Sequence, residues 1–233
     1  MIDAWRRIGD LLDATLAGPH PARRYLVLAL AVAIMWWLYV PLHELAHAGG
    51  CVSCGGEVRR MTLAPAYGGS IAARHFAWID DDTPYAGQLA DFTTGNSDLC
   101  YLWLVLAPYL ATPLARPLFR RAGRGGAPIA FAAGAILASA PLVSIPGDFY
   151  EAASIVVTRV AASALPNVDA LRSDDLPALV TRLASPGAGT TPADWALVAG
   201  AALLGALAAL ALTTFAIPAP DVAHRENESA GHR

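Results

Sequence analysis

The hydrophobic residues of this chain are concentrated in long runs that are separated by polar segments. The runs cover residues 25–47, 99–114, 127–145, 149–165 and 195–217. The first run carries no charged residue for about 18 positions, which is enough to cross a bilayer as a helix. The fourth run is short and contains Glu151 and Arg159, so it is either a span or a half-buried helix. The pattern predicts an all-α multi-pass membrane protein with four or five transmembrane helices and a loop insertion after the first.

The polar segments divide the chain into the remaining predicted units. A short amphipathic stretch before the first run is typical of a helix that lies in the membrane interface. A proline-rich segment before the last run predicts a loop with a short helix. The predicted units are an interfacial helix over residues 1–23, a membrane core over 24–165 that includes the loop 48–98, an extramembrane loop over 166–194, a transmembrane helix over 195–217 and a disordered tail over 218–233.

The composition supports a membrane protein and excludes several other classes. Apolar residues make up 55% of the chain and charged residues only 15%, whereas a soluble domain carries about 25% charged residues. The net charge is −3 and no basic block is long enough to follow a phosphate backbone, so the lipid bilayer rather than nucleic acid is the expected partner. Three cysteines are too few for a disulfide framework.

The arginines predict an orientation in the membrane. They are concentrated in the N-terminal segment and in the linker between the second and third runs, and cytoplasmic loops carry an excess of basic residues. The two groups are Arg6, Arg7, Arg23 and Arg24, and Arg116, Arg120, Arg121 and Arg124. Both segments are therefore predicted to be cytoplasmic, which places the far ends of the first and third runs outside.

The most specific motif is His43-Glu44-Leu45-Ala46-His47, at the end of the first run. Positions i and i+4 share one face of a helix, so His43 and His47 can bind one metal ion, for which zinc is well suited. Glu44 lies beside the first histidine, where it can take a proton from activated water. Ionisable groups are costly within a membrane, so their presence in an apolar run indicates function.

A catalytic zinc site needs a third protein ligand, and Asp148 is the best candidate. It closes the third run, which points the same way as the first if the second run returns between them, so Asp148 can meet the two histidines. Glu151 is the rival ligand, or it could orient a ligand from behind. Both carboxylates also have a structural interpretation, because Asp148 could cap the next helix with Glu151 as its capping-box partner.

The cysteines near the motif leave several possibilities open. On an unbroken helix Cys51 would share the histidine face and could bind zinc, but Gly49-Gly50 is expected to end the helix first. Cys51 and Cys54 form a single Cys-x-x-Cys pair, which argues against a zinc ribbon. A disulfide is possible if the loop is outside. The preferred interpretation is two small, partly buried side chains.

Four segments resemble the site-2 protease class of intramembrane zinc metalloproteases, particularly its small bacterial members. The segment 41–48 ends a membrane helix with the His-Glu-x-x-His motif, as the zinc helix of that family does. The segment 55–69 is similar to the Gly-rich β-hairpin that follows it, and 106–110 is similar to the family's Ala-Gly-Pro helix. The segment 145–148 resembles the one that gives the third ligand.

The resemblance implies a zinc metalloprotease of the bacterial inner membrane that cleaves membrane-associated proteins or peptides. It implies zinc bound by His43, His47 and Asp148, and Glu44 as the catalytic base. It also implies strands over residues 57–70 whose free edge binds substrate, and an active site open to the cytosol, opposite to the side that the arginines predict. The alternatives are a membrane metalloprotease with Glu151 as third ligand that acts on exposed segments, and a non-catalytic metal-binding protein.

Overall fold

The structure is a computed structural model that describes residues 2–162 and 168–218. The predicted tail over residues 218–233 lies outside this part except for Pro218, as does the end of the fourth apolar run. The elements are α1 (Ile2–Leu16), α2 (Pro21–Ser53), β1 (Glu57–Leu63), α3 (Gly69–His75), β2 (Ile79–Asp80), β3 (Gly87–Thr93), α4 (Asp98–Leu106), a 3₁₀ segment (Ala107–Leu114), α5 (Ala115–Gly125), α6 (Pro128–Val143), a π turn (Ile145–Phe149), α7 (Tyr150–Ala161), α8 (Leu176–Leu183) and α9 (Pro192–Ala216).

Within residues 2–162 and 168–218, four helical stretches are long and apolar enough to cross a membrane. They are Pro21–Ser53, Asp98–Gly125, Pro128–Ala161 and Pro192–Ala216. The chain is therefore mostly helical with four candidate spans, as predicted. The fourth apolar run is not a span of its own, because α7 continues from α6 after a bend at the π turn.

Helix α1 is amphipathic, as predicted, and its apolar face packs against the protein. Ala4 and Ile8 belong to one core cluster with Phe119 of α5 and Phe131 of α6. The N-terminal helix and α5 therefore lie at the same end of the molecule. Its position in a membrane interface stays a prediction.

The first long helix does not end at Gly49-Gly50, and the expectation that it would is wrong. It continues to Ser53. Gly50 is buried against α4 and the 3₁₀ segment, where a Cβ atom would lie 3.0 Å from the Cα of Leu104 and 2.7 Å from the Cβ of Ala107. This glycine allows two helices to approach closely and does not act as a helix stop.

The preferred interpretation of Cys51 and Cys54 as two small, partly buried side chains is wrong for Cys54, which is disulfide-bonded. Cys54 forms a disulfide with Cys100, which joins the end of α2 to α4 across 46 residues. Cys51 is a free, fully buried thiol whose Sγ lies 3.7 Å from the carbonyl oxygen of Thr93. Although the helix is unbroken, Cys51 is not part of the group that surrounds His43 and His47.

The insertion after α2 is a small three-stranded sheet in the order β2-β1-β3. Strands β1 and β2 are parallel, whereas β1 and β3 are antiparallel, with Leu63 opposite Gly87. Only β1 comes from the Gly-rich segment in which strands were predicted. Its partner β3 lies about 25 residues further on, and within the described residues β3 pairs on one side only.

The π turn between α6 and α7 is held by close packing against α9. Gly147 has non-helical angles (φ −106°, ψ −109°), so the chain bends at this point. Gly205 of α9 lies against the same turn, because a Cβ atom there would be 2.4 Å from the carbonyl oxygen of Phe149. Helix α9 therefore fixes the position of the bend.

We expect Gly205→Val to destabilise the protein, because the added side chain would push α9 away from the turn. Such overpacking costs about 1–3 kcal/mol. The matched control is Gly200→Val on the same helix, where a Cβ atom meets no heavy atom within 4 Å. Thermal unfolding in detergent should show a lower Tm for Gly205→Val alone. Equal losses in both variants would contradict the packing argument.

Candidate metal centre

The His-Glu-x-x-His motif lies on α2 close to its C-terminal end. One turn of helix separates His43 from His47, and their Nε2 atoms approach to 3.1 Å. His47 and Glu44 are buried, and His43 is half-buried. The helix thus presents two imidazole nitrogens to one point, as the spacing predicts.

The bend at the π turn brings Asp148 to the same point. Its Oδ2 atom lies 3.1 Å from Nε2 of His43 and 3.4 Å from Nε2 of His47. The three side chains form a group that could hold a metal ion, with ligand atoms within 4.8 Å of one another. The ends of α2 and α6 meet, as the directions of the first and third runs predict.

The donor set fits a zinc ion in chemistry and spacing. Zinc bonds of 2.0–2.1 Å in a tetrahedron place neighbouring ligand atoms about 3.3 Å apart. The three separations here are 3.1, 3.1 and 3.4 Å. Two imidazoles and one carboxylate leave one position of a tetrahedron open, which is the arrangement of catalytic rather than structural zinc sites.

Hydrogen bonds from neighbouring groups orient the three side chains. Nδ1 of His47 donates to the carbonyl oxygen of Leu104 at 2.9 Å, which assigns the proton to Nδ1 and leaves the Nε2 lone pair free. The Tyr39 hydroxyl lies 2.8 Å from Nδ1 of His43, and the Tyr109 hydroxyl donates to Oδ2 of Asp148. Atoms that can donate electron pairs thus converge at a point where a cation could bind.

Glu44 is buried beside the group and faces a cavity of about 320 Å³. Within the described residues its carboxylate has no hydrogen bond or ion pair, so it is available to a molecule that enters. Gly87 of β3 lies directly against it, because a Cβ atom at this position would be 2.6 Å from Cγ of Glu44. A glycine is therefore required to give Glu44 its place in the cavity wall.

The rival ligand Glu151 is not brought into the group. Glu151 lines the same cavity, but its Oε1 accepts a hydrogen bond from the Tyr101 hydroxyl. It is not one of the three residues whose ligand atoms converge. Asp148 also does not cap the following helix. Phe149 occupies the N-cap position of α7, and no side chain forms a cap hydrogen bond at that position.

A segment before α8 closes one side of the cavity. Gln88 of β3 donates to Asp174 at 2.6 Å, and the Tyr85 hydroxyl donates to Asp175 at 3.0 Å, which raises the pKa of that tyrosine. Arg172 anchors the segment through an ion pair with Asp98 at 2.9 Å. The cavity wall thus includes a part of the predicted extramembrane loop.

Sequence reasoning missed the groups that orient the ligands. Tyr109 lies within the segment 106–110 that resembles the family's Ala-Gly-Pro helix, and its position directly after Ala107-Pro108 was the available signal. The sequence gives no signal for the Leu104 carbonyl that orients His47 or for the close approach of Gly87 to Glu44. Both contacts are made by the main chain and do not depend on a recognisable side chain. Tyr39 lies four residues before His43, about one turn of helix, and aromatic residues near a span end are also typical of membrane interfaces.

Comparisons of the chain with protein-family models, with curated proteins and with solved structures found no match. A function for this chain is therefore inferred from the geometry of its site.

Removal of the Tyr109 hydroxyl should weaken zinc binding. Tyr109→Phe leaves Asp148 without its donor, and loss of such an outer partner lowers metal affinity by about 10- to 100-fold. The matched control is Tyr101→Phe, which removes the equivalent hydroxyl from Glu151. Zinc titration against a competing chelator measures both. A similar loss in the two variants would mean that Asp148 has no special role.

Proposed function

We propose that this chain is an intramembrane zinc metalloprotease that hydrolyses peptide bonds of membrane-associated substrates. The observation that carries the proposal is the convergence of His43, His47 and Asp148 beside the carboxylate of Glu44, which has no partner among the residues that the structure describes. The group lies on two of the four helices that are apolar enough to span a membrane. Ionisable groups at such positions are expensive, which supports a catalytic role.

The three ligands would hold zinc, which supplies Lewis acidity and makes water nucleophilic at neutral pH. The chain itself provides the proton transfers. An Oε atom of Glu44 would accept a proton from water in the cavity and later give it to the nitrogen of the departing amine. Because Glu44 has no other partner within the described chain, no internal bond must break first.

The cavity wall supports the binding of an extended peptide. Gly87, Gln88 and Leu89 of β3 line it, and β3 has an unpaired edge within the described residues. A substrate strand could bind such an edge through main-chain hydrogen bonds. This suits a protease, since a transmembrane helix must unwind before its amides can be attacked.

We infer that the site faces the outside of a bacterial inner membrane. The disulfide between Cys54 and Cys100 lies at the same end as the site, and disulfides persist in oxidising compartments. The arginine-rich segments lie at the opposite end, in agreement with the excess of basic residues in cytoplasmic loops. Two independent features therefore favour the outward orientation over the cytosolic one implied by the resemblance.

The proposal is tested with the purified full-length chain in proteoliposomes. The substrates are single-span helices that carry a Gly-Pro pair near one end and a fluorescent protein beyond it. We expect cleavage near the Gly-Pro pair, loss of cleavage with a zinc chelator, and recovery when zinc is restored. One zinc per chain without cleavage of any substrate would favour a non-catalytic metal-binding protein. No zinc binding would remove the basis of both interpretations.

A further inference from the structure

The end of the molecule opposite the metal centre contains arginines that are used in two ways. Some connect parts of the fold. Nη1 of Arg24 donates to the carbonyl oxygens of Thr15 and Gly126, at 3.1 and 3.4 Å, and so ties α1, α2 and the α5–α6 turn together. The guanidinium of Arg116 lies 5.4 Å from the ring centre of Phe215. These side chains are engaged within the protein.

Three other arginines have no such role. Arg120, Arg121 and Arg124 of α5 are exposed, and in the described chain none forms an ion pair or a side-chain hydrogen bond. All three line one surface concavity of about 740 Å³, which we call the arginine concavity. Its other lining residues are Pro117, Gly125 and Ala127. No carboxylate is among them.

An anion would stabilise this arrangement for two separate reasons. Like charges three or four residues apart on a helix repel each other, as Arg120 and Arg124 do. In addition, α6 begins at the rim of the arginine concavity with Pro128, which has no N–H, and its N-cap residue Ala127 provides no side-chain cap. The later amides of the first turn still favour negative charge. Both features point to an anionic ligand.

The position of the arginine concavity identifies the kind of anion. It lies between two candidate spans, Asp98–Gly125 and Pro128–Ala161, at the turn that joins them. The opposite face of α5 is anchored in the protein by Phe119 and Ala122, which are fully buried. The arginine face is therefore held at the level where the headgroups of a bilayer would lie.

We propose that the arginine concavity binds the phosphate of an anionic phospholipid. Guanidinium groups match phosphate oxygens with paired hydrogen bonds, and basic pockets between membrane helices bind lipid headgroups. The acyl chains would lie along the apolar surfaces of the two adjoining spans. This inference does not depend on the proposed proteolytic activity.

The test is native mass spectrometry of the delipidated full-length chain in detergent. The probes are phosphatidylglycerol and phosphatidylcholine with identical acyl chains, and inorganic phosphate. We expect preferential retention of phosphatidylglycerol by the wild type. The triple variant Arg120→Gln, Arg121→Gln, Arg124→Gln should lower its affinity by about tenfold or more. Circular dichroism and zinc content verify that the variant is folded.

The control for charge removes three exposed arginines from the other end, in Arg59→Gln, Arg60→Gln, Arg74→Gln, of which Arg59 and Arg60 form exposed ion pairs with Glu57 and Asp80. It has the same net charge as the triple variant and should bind phosphatidylglycerol as the wild type does. Equal binding of the two lipids by the wild type would overturn the proposal, as would equal losses in the two variants. If millimolar inorganic phosphate displaces bound phosphatidylglycerol as well as added phosphatidylglycerol does, the arginine concavity is a site for free anions instead.

Discussion

Replacement of Glu44 by glutamine is expected to leave zinc bound and to lower the rate of peptide cleavage by about 10²- to 10⁴-fold, the usual contribution of a general base. Glutamine has nearly the same shape and is not charged, so the cavity and the three ligands are preserved. It cannot accept a proton from water. The measurement combines zinc content with single-turnover cleavage of the Gly-Pro substrate.

The control for this substitution is Glu151→Gln, which neutralises a second buried carboxylate in the same cavity. Its partner Tyr101 can donate to an amide oxygen as well as to a carboxylate, so the fold should be kept. We expect cleavage by this variant to stay close to the wild-type rate. A Glu44→Gln protein that cleaves as fast as the wild type would refute the assignment of the base.

Loss of Asp148 should abolish stoichiometric zinc binding. Asp148→Ala removes one of the three atoms that converge, and two histidines alone leave a weak site with two open positions. The hydroxyl of Tyr109 and the two Nε2 atoms would then face a space without a negative charge. Metal analysis of the purified variant beside the wild type measures the effect.

Glu151→Ala distinguishes between the two carboxylates. It should retain one zinc per chain, because Glu151 is hydrogen bonded to Tyr101 and lies outside the group. If zinc is instead lost from Glu151→Ala and kept by Asp148→Ala, the site is of the Glu-ligand type. That result would favour the alternative in which the enzyme acts on exposed segments.

The long apolar runs were sufficient to predict most of the fold. A continuous run of apolar residues has few other stable conformations than a helix, and the prediction of a mostly helical chain with four long apolar helices is confirmed. The meeting of Asp148 with the histidines followed from the directions of the runs. Both successes depend on patterns that persist over many residues.

The errors arose where a residue has two uses that the sequence does not distinguish. A glycine can stop a helix or allow another helix to approach, and Gly50 has the second use. Cys54 has its partner 46 residues away in Cys100, a pairing that spacing does not reveal. The strands predicted over residues 57–70 were also misplaced in part, because β3, the antiparallel partner of β1, follows only after α3 and β2. The role of the site as a zinc protease stays a prediction.

The covalent link between Cys54 and Cys100 bears on when the proposed protease could become active. It joins the end of the histidine helix to α4, whose Leu104 carbonyl orients His47. Closing a loop of this length contributes about 4 kcal/mol to stability. If the site faces outward, the bond forms only after this part of the chain has crossed the membrane. Under the proposed function, a newly made chain would then mature into a protease at its destination and not during synthesis.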